Sequence, residues 1–186
     1  SSYSSNTYKR IIQTLDGGFL VIGQSYYSSY YGLYLVKYDV NMNALWSKFL
    51  DLYSRNDYFY DCRELNDGHV LVLSQNSRYG YYYATIIDGN NGNSLASSSL
   101  GSASYTKILK INENQYALCA PGEKQLIILS YNPETRNFIT NQVTSSFSIN
   151  NPVVLDGYIF SLQSSGTMYK MDLETLETSS FESGLV

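Results

Sequence analysis

Tyrosine dominates the chemistry that this 186-residue chain can offer, because 20 residues are Tyr, whereas only one is His and only 15% are charged. A tyrosine ring gives a large contact area at a low cost in side-chain entropy, and its hydroxyl group orients a partner. The candidate binding residues lie in or beside segments that we expect to be loops on one face of the molecule. They are Tyr26, Tyr27, Tyr30, Tyr31, Tyr53, Asn56, Tyr58, Tyr60, Arg78, Tyr79 and Tyr81.

This tyrosine-rich loop face has two interpretations. In the first it binds a glycan or a protein, and neighbouring polar side chains such as Gln24 and Asn76 add hydrogen bonds to the partner. In the second the tyrosines cover strand ends and fill gaps between neighbouring sheets, which is an ordinary packing role. Both interpretations agree with the sequence.

Residues that could support catalysis or bind a metal are few. A glycosidase needs two carboxylates about 5–10 Å apart across a sugar. Asp57 and Asp61 could form such a pair, but nothing in the sequence selects them. The segment 39–43 (Asp-Val-Asn-Met-Asn) has the alternating oxygens of a calcium loop, yet it lacks the Gly and the Glu that complete one. His69 has no second histidine to act with. We therefore predict no catalytic residue, no metal ligand and no cofactor.

The two cysteines, Cys62 and Cys119, are too few for a disulfide framework and lack the CxxC spacing of a zinc site. Two alternatives remain for them, one disulfide bridge or two buried thiols. A chain rich in Tyr, Ser and Asn and poor in Lys suits the outside of a cell. We expect a secreted or cell-surface protein, and a start at Ser1 agrees with a removed signal segment or with trimmed ends.

Charge and hydropathy exclude two classes of partner. Twelve basic and sixteen acidic residues give a net charge of −4, and the longest basic run is Lys9-Arg10. A chain without a basic stripe cannot neutralise a phosphate backbone, so we exclude nucleic acid. No apolar run approaches the roughly 18 residues of a membrane helix, so we exclude a membrane span. The remaining partners are glycans and other protein molecules, including copies of this chain in a homo-oligomer or filament.

The elements that must position these residues follow an internal repeat. Four segments, 15–24, 65–75, 111–119 and 155–163, each combine a polar turn with a β-rich apolar run. Downstream of each segment a second strand pattern ends, in turn, at Asp39, Asp88, Asn132 and Asp172. The repeat length is about 40–50 residues, and no window has the apolar spacing of an amphipathic helix.

Each repeat predicts four strands joined by hairpin turns, for example 9–15, 18–24, 33–38 and 44–50 in the first repeat. A four-stranded antiparallel unit of this length is typical of a β-propeller blade. We predict an all-β chain with one β-propeller domain over residues 1–186 and blades at about 9–50, 60–100, 106–143 and 152–181. Three arrangements remain open. The four blades close alone, two chains form an eight-bladed ring, or the blades belong to a longer chain or larger assembly.

The first repeat also resembles a known family. Its segments 16–23 (DGGFLVIG), 33–39 (LYLVKYD) and 43–48 (NALWSK) are similar to the blades of bacterial secreted and quinoprotein-like propellers. The similarity fades in the second repeat and leaves only the strand pattern in the third and fourth. The resemblance implies the propeller fold, with Trp46 packing against a neighbouring sheet, and is too general to imply an activity.

These observations predict a non-catalytic extracellular propeller module that acts in binding or in structural assembly, for instance as a filament or coat subunit. The alternative is an enzyme on the same scaffold, either a glycosidase-type hydrolase or a quinoprotein. A quinoprotein needs a metal-and-cofactor site, and the sequence offers no cluster of charged ligands to build one.

Overall fold

The structure, a computed structural model, describes residues 5–27, 30–52 and 57–182. The described residues form sixteen β-strands in four antiparallel sheets, and each sheet has four strands arranged in chain order. The chain divides into two compact units, Ser1–Ser102 and Ala103–Val186. Within the described ranges there is no helix long and apolar enough to cross a membrane.

Each unit holds two sheets. In unit 1, sheet 1 consists of β1 (Ser5–Gln13), β2 (Phe19–Tyr27), β3 (Tyr30–Tyr38) and β4 (Ala44–Leu50), and sheet 2 of β5 (Asp57–Glu64), β6 (Val70–Asn76), β7 (Tyr81–Ile87) and β8 (Ser94–Gly101). In unit 2, sheet 3 consists of β9 (Lys107–Lys110), β10 (Gln115–Cys119), β11 (Gln125–Asn132) and β12 (Asn137–Thr144). Sheet 4 consists of β13 (Val153–Leu155), β14 (Tyr158–Leu162), β15 (Thr167–Asp172) and β16 (Thr178–Glu182).

Aspartate side chains fix the tight turns that join the first two strands of sheets 1 and 2. The Asp16 carboxylate accepts a hydrogen bond from the Gly18 amide at 3.0 Å, and Asp67 accepts one from the His69 amide at 3.1 Å. Such a bond to the amide two residues further on stabilises a turn locally. The recurrence of Asp in these repeats therefore has a structural cause.

The hairpin of β2 and β3 is longer than the sequence predicts. The strands reach Tyr27 and resume at Tyr30, so the predicted strand ends at 24 and 33 were wrong, and Tyr26, Tyr27, Tyr30 and Tyr31 lie in the strands beside the connection. Tyrosine fits a pleated strand well, and directly opposed aromatic residues stabilise a pair of strands. Tyr26 and Tyr31 form such a pair, which explains why the hairpin continues.

A β-bulge interrupts the first strand of both sheets in unit 1. The pairing of β1 with β2 slips after Tyr8, and the pairing of β5 with β6 slips after Phe59. A bulge bends the strand and changes the direction of the side chains that follow. Arg10 and Asp61, the first paired residues beyond the two slips, occupy equivalent positions in the two sheets.

A hydrophobic core fills the space between the two sheets of each unit, since stacked sheets remove apolar surface from water. In unit 1 it contains Leu20, Ile22, Leu33 and Leu35 of sheet 1, and Phe59, Cys62, Val70, Val72 and Ile87 of sheet 2. In unit 2 it contains Ala117, Cys119, Leu126, Val143, Phe147, Ile149, Ile159 and Met171. Each core thus holds one cysteine. Both cysteines are free, buried thiols in the structure, with no bridge between them.

Candidate functional site

Three tyrosine rings contact one another in a row across the two sheets of unit 1, and we call this row the tyrosine stack. Tyr26 in β2 contacts Tyr31 in β3, with the ring centroids 5.0 Å apart and the rings tilted. Tyr31 in turn stacks on Tyr58 in β5, with the centroids 6.2 Å apart and an angle of 29° between the rings. Tyr31 is 39% exposed and Tyr58 is 37% exposed, so both rings are accessible to a partner.

A buried carboxylate directly precedes Tyr58 of this stack in the chain. Asp57, which precedes Tyr58, is fully buried and accepts hydrogen bonds from the Leu52 amide at 2.9 Å and from Asn76 Nδ2 at 3.4 Å. Gln24 of sheet 1 donates its Nε2 to the Asp57 carbonyl oxygen at 3.4 Å, which ties sheet 1 to sheet 2. Gln24 and Asn76, which the sequence suggested as sources of hydrogen bonds to a partner, therefore make hydrogen bonds to Asp57 within the protein.

Exposed side chains at the end of sheet 2 extend the surface. In the turn between β6 and β7, the Arg78 guanidinium lies 5.4 Å from the centroid of the exposed Tyr79 ring, a cation–π contact. The Asn76 side chain holds this turn by accepting hydrogen bonds from the amides of both residues. Tyr81 begins β7, is exposed and pairs with Asn76. We call Tyr26, Tyr31, Tyr58, Arg78, Tyr79 and Tyr81 the tyrosine surface.

Two other candidate tyrosines pack inside the unit. Tyr60 donates its hydroxyl to Gln75 Oε1 at 3.0 Å, and its ring lies 5.2 Å from that of Tyr82. Burial, aided by the Tyr82 hydroxyl, raises the pKa of Tyr60 to about 12. Tyr30 meets Phe49 edge to face at 6.0 Å. These half-buried rings fill gaps, as the packing interpretation proposed.

For three of the predicted residues the structure does not describe the side-chain contacts. Tyr53 and Asn56 lie outside the described residues. For Tyr27 the structure gives the strand but not the surroundings of the side chain. The tyrosine surface therefore contains six of the eleven residues that the sequence suggested.

The two carboxylates considered for glycoside hydrolysis make structural contacts. Asp61 forms an ion pair with Arg10 of β1 and accepts a hydrogen bond from the Cys62 amide at 2.8 Å. Asp57 accepts hydrogen bonds from the Leu52 amide and from Asn76 Nδ2. Both carboxylates are buried, whereas the acid and the nucleophile of a glycosidase must both reach the sugar. In this structure Asp57 and Asp61 connect sheets 1 and 2.

A buried lysine explains part of the family-like motif in sheet 1. The Lys37 ammonium group is buried and donates hydrogen bonds to the Asp16 carboxylate at 2.9 Å and to the Thr14 hydroxyl. The hydrogen bond from the Thr14 hydroxyl, followed by that from Lys37, lowers the pKa of Asp16 to about 2. Glu64 of sheet 2 accepts a hydrogen bond from the nearby Leu15 amide at 2.7 Å, and burial raises the pKa of Glu64.

Trp46 packs against the neighbouring sheet, and this confirms the role that the resemblance implied. Its indole Nε1 donates a hydrogen bond to the Gly89 carbonyl of sheet 2 at 3.1 Å. The ring lies over Gly92, where an added Cβ would come within 2.7 Å of a ring carbon. Gly92 also has a φ of +74°, which an L-residue rarely adopts.

His69 and the calcium-like segment also have structural surroundings. His69 is buried, its Nδ1 accepts a hydrogen bond from the Gly89 amide at 3.3 Å, and its ring nitrogens lie within 4.0 Å of Asp67 and Asp88. In segment 39–43 the Asp39 carboxylate accepts two backbone hydrogen bonds of 2.8 Å within its own hairpin turn. In the part of the chain that the structure describes, no group of three or more His, Cys, Asp or Glu residues is placed to hold a metal ion.

Burial also determines the chemistry of the cysteines. Desolvation raises the pKa of both Cys62 and Cys119 to about 12. A thiol must ionise to act as a nucleophile or a metal ligand, so both side chains are unreactive at neutral pH. They serve the packing of the two cores.

A solved structure has a similar fold. The crystal structure of the C-terminal WD40 domain of Sif2 matches this chain with a TM-score of 0.50 at 11% sequence identity. The match covers 96% of this chain, which spans 58% of the length of that chain. The protein is a β-propeller. Its four sheets are four blades, and the predicted fold class is confirmed.

At this level of identity the similarity concerns the fold alone. No family model and no curated protein matches the propeller. The repeat architecture is thus established, whereas the finer resemblance of the first repeat to bacterial quinoprotein-like blades gains no support from the comparisons.

Proposed function

We propose that this β-propeller is a binding module that contacts a protein or a glycan through the tyrosine surface and performs no catalysis. The observation that carries the proposal is the run of ring contacts from Tyr26 through Tyr31 to Tyr58, in which Tyr31 and Tyr58 are exposed. Accessible aromatic rings in a fixed geometry are typical anchors of interfaces, because little side-chain entropy is lost when they bind.

The charge of the surface suits a neutral or weakly acidic partner. Arg78 is its one charged member, and the Asp57 carboxylate, which precedes Tyr58, is buried. The tyrosine hydroxyls supply hydrogen bonds in both directions, as donors and acceptors. A carbohydrate chain or an uncharged peptide segment fits this chemistry better than a strongly basic partner.

The corresponding turns of unit 2 support a functional origin of the tyrosines. The turn between β10 and β11 contains Ala-Pro-Gly-Glu-Lys at 120–124, and the turn between β14 and β15 contains Gln-Ser-Ser-Gly at 163–166. These blades form without aromatic residues at the same place in the sheet. The propeller architecture therefore does not require the tyrosines of unit 1.

The proposed location outside the cell rests on composition, and the proposed lack of catalysis rests on the contacts of the motif residues. The low content of charge and the many Tyr, Ser and Asn residues favour a secreted or cell-surface location. The resemblance to quinoprotein-like blades adds no activity, because Lys37, Asp39 and Trp46 of that motif make turn and packing contacts.

A binding experiment with matched variants tests this function. The protein is applied to a glycan array and to a peptide array, as wild type, as the double variant Tyr31→Ser/Tyr58→Ser, and as the control Ile139→Ser. Ile139 is an exposed residue of unit 2, outside the tyrosine surface. If each lost tyrosine costs about 1–2 kcal/mol, the double variant binds roughly a hundredfold more weakly, and the control binds like the wild type.

Two results would contradict the proposal. One is the absence of any bound glycan or peptide on either array. The other is a double variant that binds like the wild type but unfolds at a clearly lower urea concentration, which is the result that a packing role for the stack requires.

A further inference from the structure

Tyr26 and Tyr31 bring two phenol rings together at the end of the β2–β3 hairpin. The two residues are directly opposed in the antiparallel register, and their ring centroids are 5.0 Å apart with an angle of 59° between the rings. Directly opposed residues on antiparallel strands have Cβ atoms about 4.5–5.5 Å apart. Rotation of the two side chains therefore brings the ring edges together without a change in the backbone.

Contact between two phenol rings is the requirement for oxidative coupling of tyrosines. A phenol that loses one electron and one proton becomes a phenoxyl radical, and its unpaired electron is shared with the ring carbons beside the carbon that bears the oxygen. Two such radicals join through a bond between these carbons. Each joined carbon then gives up its hydrogen, the oxygen takes a proton, and both phenols are restored.

Hydrogen peroxide, used by a peroxidase, is the class of oxidant that balances this reaction. It accepts the two electrons and two protons that the rings lose and becomes two molecules of water. One carbon–carbon bond is formed and one carbon–hydrogen bond is broken on each ring. The protein therefore loses the mass of two hydrogen atoms and gains no new atom.

Access to solvent separates this pair of rings from a second close pair. Tyr31 is 39% exposed and Tyr26 is partly exposed, so water can take the phenol protons. The rings of Tyr60 and Tyr82 in sheet 2 are 5.2 Å apart, but Tyr82 is only 4% exposed and donates its hydroxyl to that of Tyr60. Burial raises the pKa of Tyr60 to about 12, which makes loss of its proton harder.

Proximity separates the same pair from the most exposed tyrosine of the surface. Tyr79 is more exposed than Tyr31, but its ring lies beside the Arg78 guanidinium, and in the described part of the chain it contacts no second tyrosine ring. A radical on Tyr79 thus has no neighbouring phenol with which to couple. Tyr26 and Tyr31 combine a close second ring with access to solvent.

We propose that Tyr26 and Tyr31 are an oxidative modification site, at which a peroxidase and hydrogen peroxide join the two rings into dityrosine. The product is a covalent bond across the β2–β3 hairpin within one chain, and it fixes two rings of the tyrosine surface. The secreted or cell-surface location proposed above suits this reaction, because the outside of a cell is an oxidising environment. The modification goes beyond the proposed binding function and requires no bound partner.

Treatment of the dilute protein with a peroxidase and limiting hydrogen peroxide tests the site. The wild type is compared with Tyr26→Phe and Tyr31→Phe, which keep the ring but cannot form a phenoxyl radical, and with the controls Tyr79→Phe and Tyr82→Phe. We expect dityrosine fluorescence in the wild type and in both controls, at the 21.0 kDa size of one chain. Tyr26→Phe and Tyr31→Phe are each expected to lose this fluorescence while their urea unfolding midpoints stay close to that of the wild type.

Tandem mass spectrometry locates the bond. Trypsin releases both rings in one peptide, residues 11–37. A bond between Tyr26 and Tyr31 suppresses the fragment ions from every peptide bond between these two residues and leaves the fragments outside them unchanged. The peptide is also expected to be lighter than the untreated one by two hydrogen atoms.

Four results would overturn the proposal. The first is the absence of dityrosine in the treated wild type, and the second is dityrosine that forms only between chains. The third is a bond mapped to another pair, such as Tyr31 with Tyr58, which joins two tryptic peptides. The fourth is fluorescence that persists in Tyr26→Phe and disappears in Tyr82→Phe.

The cross-link and the proposed binding function fail separately. Tyr26→Phe keeps the exposed rings of Tyr31 and Tyr58, so it is expected to bind on the arrays like the wild type although it forms no dityrosine. Binding that is absent in the untreated wild type contradicts the binding function and leaves the cross-link unaffected.

Discussion

The contact between sheets 1 and 2 and the contact between sheets 3 and 4 bury similar apolar cores but use different polar chemistry. Sheets 1 and 2 are joined by the ion pair of Arg10 with Asp61 and by the hydrogen bond from the Leu15 amide to the Glu64 carboxylate. In unit 2 the connecting segment before β13 is held to sheet 4 by neutral groups. Its Asn150 amide donates to the Ser161 hydroxyl at 2.7 Å.

The aromatic content of the two contacts also differs. In unit 2 the Phe147 ring stacks on the Tyr169 ring inside the core, with centroids 4.8 Å apart. In unit 1 the stack of Tyr31 on Tyr58 lies at an exposed end of the sheets. The two units therefore share apolar faces that stack, while the polar links and the position of aromatic residues differ between them.

Truncation of a side chain in the apolar core of either unit gives the largest expected loss of stability. Ile22→Ala in unit 1 and Ile159→Ala in unit 2 each remove a completely buried side chain. Each change is expected to lower the free energy of unfolding by about 2–5 kcal/mol, because a cavity remains in a packed interface. Urea denaturation followed by circular dichroism measures both. A loss below about 1 kcal/mol for either variant would mean that the two cores are not equivalent.

Loss of the ion pair between Arg10 and Asp61 gives an intermediate loss of stability, and this loss depends on the salt concentration. Arg10→Met leaves the Asp61 carboxylate buried without its cation, and we expect a loss of about 2 kcal/mol, less than for a fully buried pair because Arg10 is partly exposed. The matched change in unit 2, Ser161→Ala, removes a buried hydroxyl and is expected to cost about 1–3 kcal/mol.

Salt distinguishes these two changes. The difference between wild type and Arg10→Met is expected to shrink from low to molar salt, since screening weakens the ion pair. The difference for Ser161→Ala is expected to stay constant. Equal salt dependence of both variants, measured by urea denaturation, would remove the contrast between the two contacts.

The smallest expected change in stability is the one that follows from protonation of Asp16 at low pH. Its pKa is lowered from 3.8 to about 2, so the ionised group stabilises the fold above about pH 4, and this stability is lost as the pH falls toward 2. The Asp16 side chain is more than half exposed, and solvent screening limits the contribution to within about 1 kcal/mol. The difference in unfolding free energy between wild type and Asp16→Asn should therefore shrink as the pH falls through this range.

The opposite trend would contradict the pairing of Asp16 with Lys37. Glu64 acts with the other sign, because its raised pKa favours the folded state as the carboxylate becomes protonated. Subtracting the Asp16→Asn curve from that of the wild type isolates the contribution of Asp16.

Local patterns in the sequence were sufficient to predict the strands and turns. Glycine and aspartate at the turns and short apolar runs between them place most strand ends within a few residues of the structure. The repeat length and the number of strands in each repeat then predict the β-propeller. The hairpin of β2 and β3 was the main exception, because paired tyrosines extend β2 to Tyr27 and begin β3 at Tyr30, beyond the predicted strand ends at 24 and 33.

Contacts between blades could not be predicted in the same way. Arg10 and Asp61 are 51 residues apart, and each follows the β-bulge in its own strand. When the first two repeats are aligned, Arg10 and Asp61 fall at the same repeat position with opposite charges. This pattern could have predicted the ion pair. The exposed stack of Tyr31 on Tyr58 likewise depends on how two sheets pack, which no single repeat reveals.

Hydrogen exchange measured by mass spectrometry, with and without the strongest glycan or peptide from the arrays, tests the binding function most directly. It reports on both units in one experiment. We expect the ligand to slow exchange in the hairpin of β2 and β3, at the start of β5 and in the turn between β6 and β7, and to leave the strands of unit 2 unchanged. Protection confined to unit 2, or spread equally over both units, would contradict the assignment of binding to the tyrosine surface.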